Sequence, residues 1–193
     1  MKKIKFLFLS ALIAFINCER DDICAESTST TPRLSVEFYD ATEQDELKSV
    51  TRLTVYGDSP GIPIPDDTDN SSAILVEPLE PERVYNNNSN AVKLPLLIGN
   101  ENETITTRFV FEKDTNLRLN DNVDDNSNID IIEISYTNEF QYVSRACGYK
   151  SVFSIIDINL NPDNNDDDLW ISNIEISETL VDDENTVHVR ILH

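Results

Sequence analysis

Three cysteines and two histidines carry the most distinctive side-chain chemistry of this 193-residue chain. Cys18 follows a stretch in which Lys2, Lys3 and Lys5 precede an uncharged apolar run, 6–16, and then Asn17. A basic start, an apolar stretch and then a cysteine is the layout of an export signal whose cleavage exposes the cysteine for lipidation. The run of 11 residues is shorter than the ~20 that a helix needs to cross a bilayer core of ~30 Å. Residues 1–17 therefore read as a cleaved signal peptide and 18–32 as a lipid-anchored N-terminal segment. Phe15 and Asn17 depart from the Leu at −3 and the small residue at −1 that lipoprotein processing prefers. Ordinary cleavage, with Cys18 left as a thiol, is the alternative.

The remaining cysteines, Cys24 and Cys147, make an even pair once Cys18 is set aside. An exported chain meets an oxidising compartment, where an odd count leaves one thiol otherwise used. A Cys24–Cys147 disulfide is the leading expectation, and two buried reduced thiols are the alternative. No Cys or His pair has zinc-ligand spacing. If lipid and disulfide both hold, Cys24 lies at most ~20 Å from the lipidated residue, because six residue steps reach no further. The folded body then starts at the membrane.

The histidines suggest no catalysis. His188 alternates with Val187 and Val189 and is expected to point outward from a terminal strand, and His193 is the last residue. No Gly-x-Ser-x-Gly elbow is present, and the four glycines form no phosphate-cradling loop. No catalytic residue and no cofactor are assigned, so the chain reads as a non-enzyme. Asp124, Asn126, Asn128 and Asp130 fall at alternate positions with oxygen ligands suited to calcium. However, Ile129 stands where a calcium loop needs Gly, and Ser135 where it needs a bidentate Glu. Turn chemistry alone explains Asp and Asn there. Trp170 could stack on a sugar, but it opens the apolar run Trp170-Ile171-x-x-Ile174-x-Ile176, where packing is the leading reading.

These groups have to be positioned by strands. Leu34, Val36 and Phe38 alternate with polar neighbours, as do Ile105, Thr107, Phe109 and Phe111, and Ile132, Ile134 and Tyr136. Residues 50–56, 73–77, 91–98, 139–147, 149–158, 170–177 and 186–192 complete nine or ten strands. Gly148 marks the turn between 139–147 and 149–158, and Pro95 marks an edge strand or a bulge. Residues 41–49 are expected to form one helical turn. Short strands with Asn/Asp-rich turns predict an all-β fold over 33–193, one antiparallel β-sandwich, immunoglobulin-like or related, with a small β-barrel as the alternative.

The chain carries a formal charge of −21. The signal takes three lysines and no acid with it, which leaves 12 basic against 36 acidic residues and a charge of −24. Such a charge excludes nucleic acid as a partner and repels anionic lipid.

Several segments together are familiar: Cys18-Glu-Arg-Asp-Asp-Ile-Cys24, Pro32-Arg-Leu-Ser-Val-Glu-Phe-Tyr-Asp40, Leu47-Lys-Ser-Val50, Tyr142-Val-Ser-Arg-Ala-Cys-Gly-Tyr-Lys150 and Glu184-Asn-Thr-Val-His-Val-Arg-Ile191. They resemble a family of uncharacterised exported lipoproteins of Bacteroidota, a domain of unknown function. The resemblance supports the Cys24–Cys147 pair and supplies no activity. Arg20-Asp21-Asp22 resembles the surface-export signal of such lipoproteins. It implies an outer-membrane lipoprotein, periplasmic or surface-facing, and the family resemblance implies an outer-membrane β-barrel protein as a partner. The expected function is accordingly a membrane-anchored structural or interaction module docking on another envelope protein. The alternative is a ligand-binding β-sandwich for glycan or calcium.

Overall fold

The structure, a computed structural model, describes Cys24 and residues 31–58, 84–118, 127–163 and 168–193. Their strands are β1 (Leu34–Tyr39), β2 (Val50–Gly57), β3 (Asn87–Ser89), β4 (Ala91–Leu94), β5 (Ile105–Lys113), β6 (Asn128–Ser144), β7 (Gly148–Leu160), β8 (Asn173–Ile176), β9 (Leu180–Val181) and β10 (Val189–Leu192). The one helix among them, α1 (Thr115–Arg118), is a single turn. The signal peptide, Cys18, Asp124, Asn126 and the strand expected at 73–77 lie outside the described residues.

Among the described residues two sheets pack as a sandwich with no barrel closure: β4-β1-β10-β8 and β3-β2-β5-β6-β7-β9. The second sheet is antiparallel throughout. The first corrects the all-antiparallel expectation, because β1 and β10 run parallel, with Val36 opposite Val189 and Phe38 opposite Ile191. Alternation reveals which residues share a face but carries no information on strand direction. Pro95 follows directly after β4, the outer strand of its sheet, where a missing N–H costs no ladder bond.

The alternating apolar residues meet between the layers. Leu34, Val36 and Phe38 of β1 and Val189 and Ile191 of β10 face the second sheet's Val55, Phe111, Ile134, Tyr136 and Phe153, all buried. Each such side chain contributes ~1.5–3 kcal/mol on leaving water. Phe38 bridges the layers, edge-on to Phe111 with centroids 6.3 Å apart and 6.4 Å from Trp170. Trp170 is a core residue, and its indole N–H donates to the Phe111 carbonyl at 3.2 Å.

Two local expectations change. Residues 41–49 form no helix. The Asp40 carboxylate accepts from the Thr42 N–H (2.7 Å) and hydroxyl (2.6 Å), and this side-chain turn competes with the first helical turn. The segments 132–136 and 139–147 merge into the single 17-residue strand β6.

Candidate interaction site at the outer end of the long hairpin

β6 and β7 pair from Ile132–Leu160 out to Ser144–Gly148. β5 accompanies β6 only as far as Tyr136. Beyond that point the loop after β4 takes over the flank through side-chain bonds. The Tyr136 hydroxyl accepts from the Leu97 N–H (2.7 Å), donates to the Leu97 carbonyl (3.1 Å) and meets the Thr107 hydroxyl at 2.8 Å. Burial pushes its pKa up. One step outward, the Asn138 side-chain oxygen accepts from the Gly99 N–H at 3.1 Å. Gly99 lets the loop pass close to β5, because a Cβ there would stand 2.9 Å from Ile105 Cδ1 and push that side chain aside. Another step outward, the Phe140 N–H donates to the Glu101 carboxylate at 3.0 Å.

The side chains on this one face of β6 then lose their cover. Tyr136 and Asn138 are wholly buried, whereas Phe140 and Tyr142 are 44% and 59% exposed. Directly across from Tyr142 sits Tyr149, 68% exposed, with the two rings edge-to-face at 5.4 Å. Leu97 and Ile98 on the flanking loop are exposed as well. The turn that closes the hairpin ends at Gly148, whose φ of +71° is a conformation other residues rarely adopt.

Cys147 in this turn is disulfide-bonded to Cys24, as expected, closing a sequence separation of 123. The incoming segment also meets β7 at Ser151, whose N–H donates to the Thr31 hydroxyl at 3.2 Å. Residues 140–156 contain no Asp or Glu, in a chain with 36 of them, and contain Arg145 and Lys150. Arg145 is exposed, and the Lys150 ammonium donates to the Asp182 carbonyl at 2.8 Å.

The other candidate residues serve the fold. Asp130 is fully buried in β6, not in a loop. Its carboxylate accepts from the Asn161 amide at 3.0 Å and from the Ile171 N–H at 2.8 Å, fastening β6 to the segment entering β8. Asn128 donates to the Asp168 carbonyl at 2.8 Å. Among the described residues no three His, Cys, Asp or Glu side chains gather as metal ligands. His188 corrects the expectation of an outward histidine, because it is fully buried. Its Nδ1 accepts from the Ser35 N–H at 3.0 Å while the His188 backbone N–H donates to the Ser35 carbonyl at 3.0 Å. β10 begins at Val189, so the strand alternation does not extend back to residue 188. Burial pushes the His188 pKa down, against the opposing pull of Asp183, Glu178 and Asp182. His193 packs against Trp170 and Phe38 at 5.7 and 6.2 Å, and burial lowers its pKa too.

A groove of about 450 Å³ opens between β4 and the β2–β5 pair, walled by residues such as Val55, Leu94, Leu96 and Phe109. Its guanidinium, Arg108, is held by Asp58 at 3.1 Å and by Asp163.

The exposed aromatic trio was the part of this arrangement hidden from strand patterning. A usable signal was present in the acid-free stretch 140–156, where Phe140, Tyr142 and Tyr149, three of its four aromatics, stand at alternate or cross-strand positions.

A search of curated proteins and a search of solved structures return no match. A family profile matches residues 71–193, more than half of the sequence, and the chain belongs to that family, a family of unknown function (DUF6452).

Proposed function

We propose that this protein is an exported lipoprotein of the bacterial envelope, of the Bacteroidota kind its sequence resembles, anchored by lipid on Cys18. It works as a structural or interaction module that docks on another envelope protein and performs no catalysis. The resemblance points to an outer-membrane β-barrel as that partner and to the outer membrane as the location, on its periplasmic or outer side.

The observation that carries this reading is the Cys24–Cys147 disulfide. It suits an oxidising compartment. It also fastens the chain six residues after Cys18 to the folded body, so the anchor and the body are separated by at most ~20 Å. A body held that low meets membrane-embedded neighbours continually.

Intact mass of the protein from native membranes, with and without reduction, tests the anchor. The expected product is a chain starting at Cys18 with a lipid-sized increment and a gain of about two daltons on reducing one disulfide. Co-purification from detergent extracts then tests docking. A bare chain with free thiols rules out the anchor, and a lipidated monomer without a companion rules out the docking.

A further inference from the structure

We propose that the outer end of the β6–β7 hairpin lies in the headgroup layer of the membrane that holds the lipid, with Phe140, Tyr142 and Tyr149 as its contact residues. The inference rests on the lipid-anchor reading and adds to it the surface that meets the bilayer and the orientation of the body.

The tether sets the location. The disulfide joins the hairpin turn to Cys24, and only the five residues 19–23 lie between Cys24 and the anchored Cys18. No other part of the described body is tied so closely to the anchor. With Cys18 at the headgroup level, Cys147 cannot be further from it than the ~20 Å tether plus one disulfide.

The side chains suit that place. A tyrosine offers an apolar ring and a polar hydroxyl, and such residues collect at membrane–water interfaces. Tyr142 and Tyr149 stand side by side on the hairpin, two residues beyond Phe140, on the face where the facing sheet has ended. Charge selects the same end. A body with a formal charge of −24 is repelled by anionic headgroups over most of its surface. The hairpin end, acid-free from 140 to 156 and bearing Arg145 and Lys150, is where that repulsion is relieved. Of the acidic residues beside it, Glu101 accepts from the Phe140 N–H through its carboxylate and Asp182 accepts from the Lys150 ammonium through its backbone carbonyl.

The test uses the lipidated full chain in vesicles of phosphatidylcholine or its brominated counterpart. Trp170, the single tryptophan, is buried in the core and supplies a constant background. Tyr142→Trp and Tyr149→Trp place a reporter at the hairpin end. Ile156→Trp places one on an exposed position seven residues back along β7. The expected result is that brominated lipid lowers the added emission of both hairpin variants about twofold or more, with no effect on the Ile156→Trp variant. Hairpin variants quenched no more than the Ile156→Trp variant, in protein that carries its lipid and floats with the vesicles, overturn this proposal alone. A chain without lipid overturns the anchor reading and this one together. Shielding of the hairpin reporters only when a second envelope protein is bound makes the hairpin end a protein contact instead, and also overturns the proposal.

Discussion

The inner and outer halves of β6 follow one alternation to opposite ends. From Asp130 to Asn138 the even-numbered side chains are buried between the sheets, and from Phe140 to Tyr142 the same face stands in solvent. The strand itself is continuous, because β7 supplies cross-strand hydrogen bonds along nearly its whole length. Backbone pairing therefore builds the strand, while burial depends on whether a second layer or a flanking loop lies opposite. The inner half holds the fold together, and the outer half is available for contact.

Substitutions on the two halves should separate them clearly. The largest loss is expected at Phe153, wholly buried and edge-on to Tyr136 at 5.5 Å. Phe153→Ala should cost about 3–5 kcal/mol in denaturant unfolding, since it removes a buried ring and leaves a cavity in its place. A loss below about 1 kcal/mol would remove the distinction between the halves. Replacing Cys24 and Cys147 together by Ser should cost about 2–5 kcal/mol, because the unfolded chain regains the freedom of a long loop. Hydrogen exchange should rise first around residues 144–151. Uniform loosening of β1 and β10 as well would mean that the hairpin end is part of the cooperative core.

Tyr136→Phe, at the boundary between the halves, should cost about 1–3 kcal/mol by stranding the Leu97 N–H and carbonyl. Acid titration reports on the body alone. Both histidines have folded pKa values pushed below the usual range by burial. As pH falls below ~6.5, the unfolded chain takes up protons that the folded chain does not. Stability falls until the folded histidines titrate. His188→Gln should flatten that fall in pH-dependent melting. Glu184 is lowered to about 2 by its hydrogen bonds with Arg33. Its contribution is present above ~4.5 and lost as pH drops toward about 2. Tyr149→Ala should have the smallest effect, below about 1 kcal/mol, since it removes only an exposed edge-to-face pair. A loss comparable with that of Phe153→Ala would contradict the exposure of the outer half.

Much of this was legible in residue order. The alternation at Leu34–Phe38 and Ile105–Phe111 announces the core, Pro95 an edge, Gly148 a turn and the cysteine count a disulfide. What stayed hidden depends on neighbours distant in sequence. The parallel β1–β10 pair, the burial of His188 against Ser35 and the capture of Asp130 by Asn161 and Ile171 are long-range partnerships that no local pattern encodes. The bare outer face of the hairpin is hidden for the same reason. Its aromatics alternate like core residues, and only the end of the opposing sheet shows that nothing described covers them.

The slot filled by β10 also governs timing. Among the described strands, β10 sits between β1 and β8 and is the only in-sheet neighbour of β8. Until Val189–Leu192 are available, β1 has only β4 beside it among the described strands, the Ser35 backbone lacks its His188 partners, and β8 lacks its described partner. Closure of this sheet joins strands about 150 residues apart, a contact order that makes assembly slow and late. A growing chain thus remains without a completed sandwich until residue 192 has been made, so the order of synthesis itself keeps the body open while the earlier segments emerge.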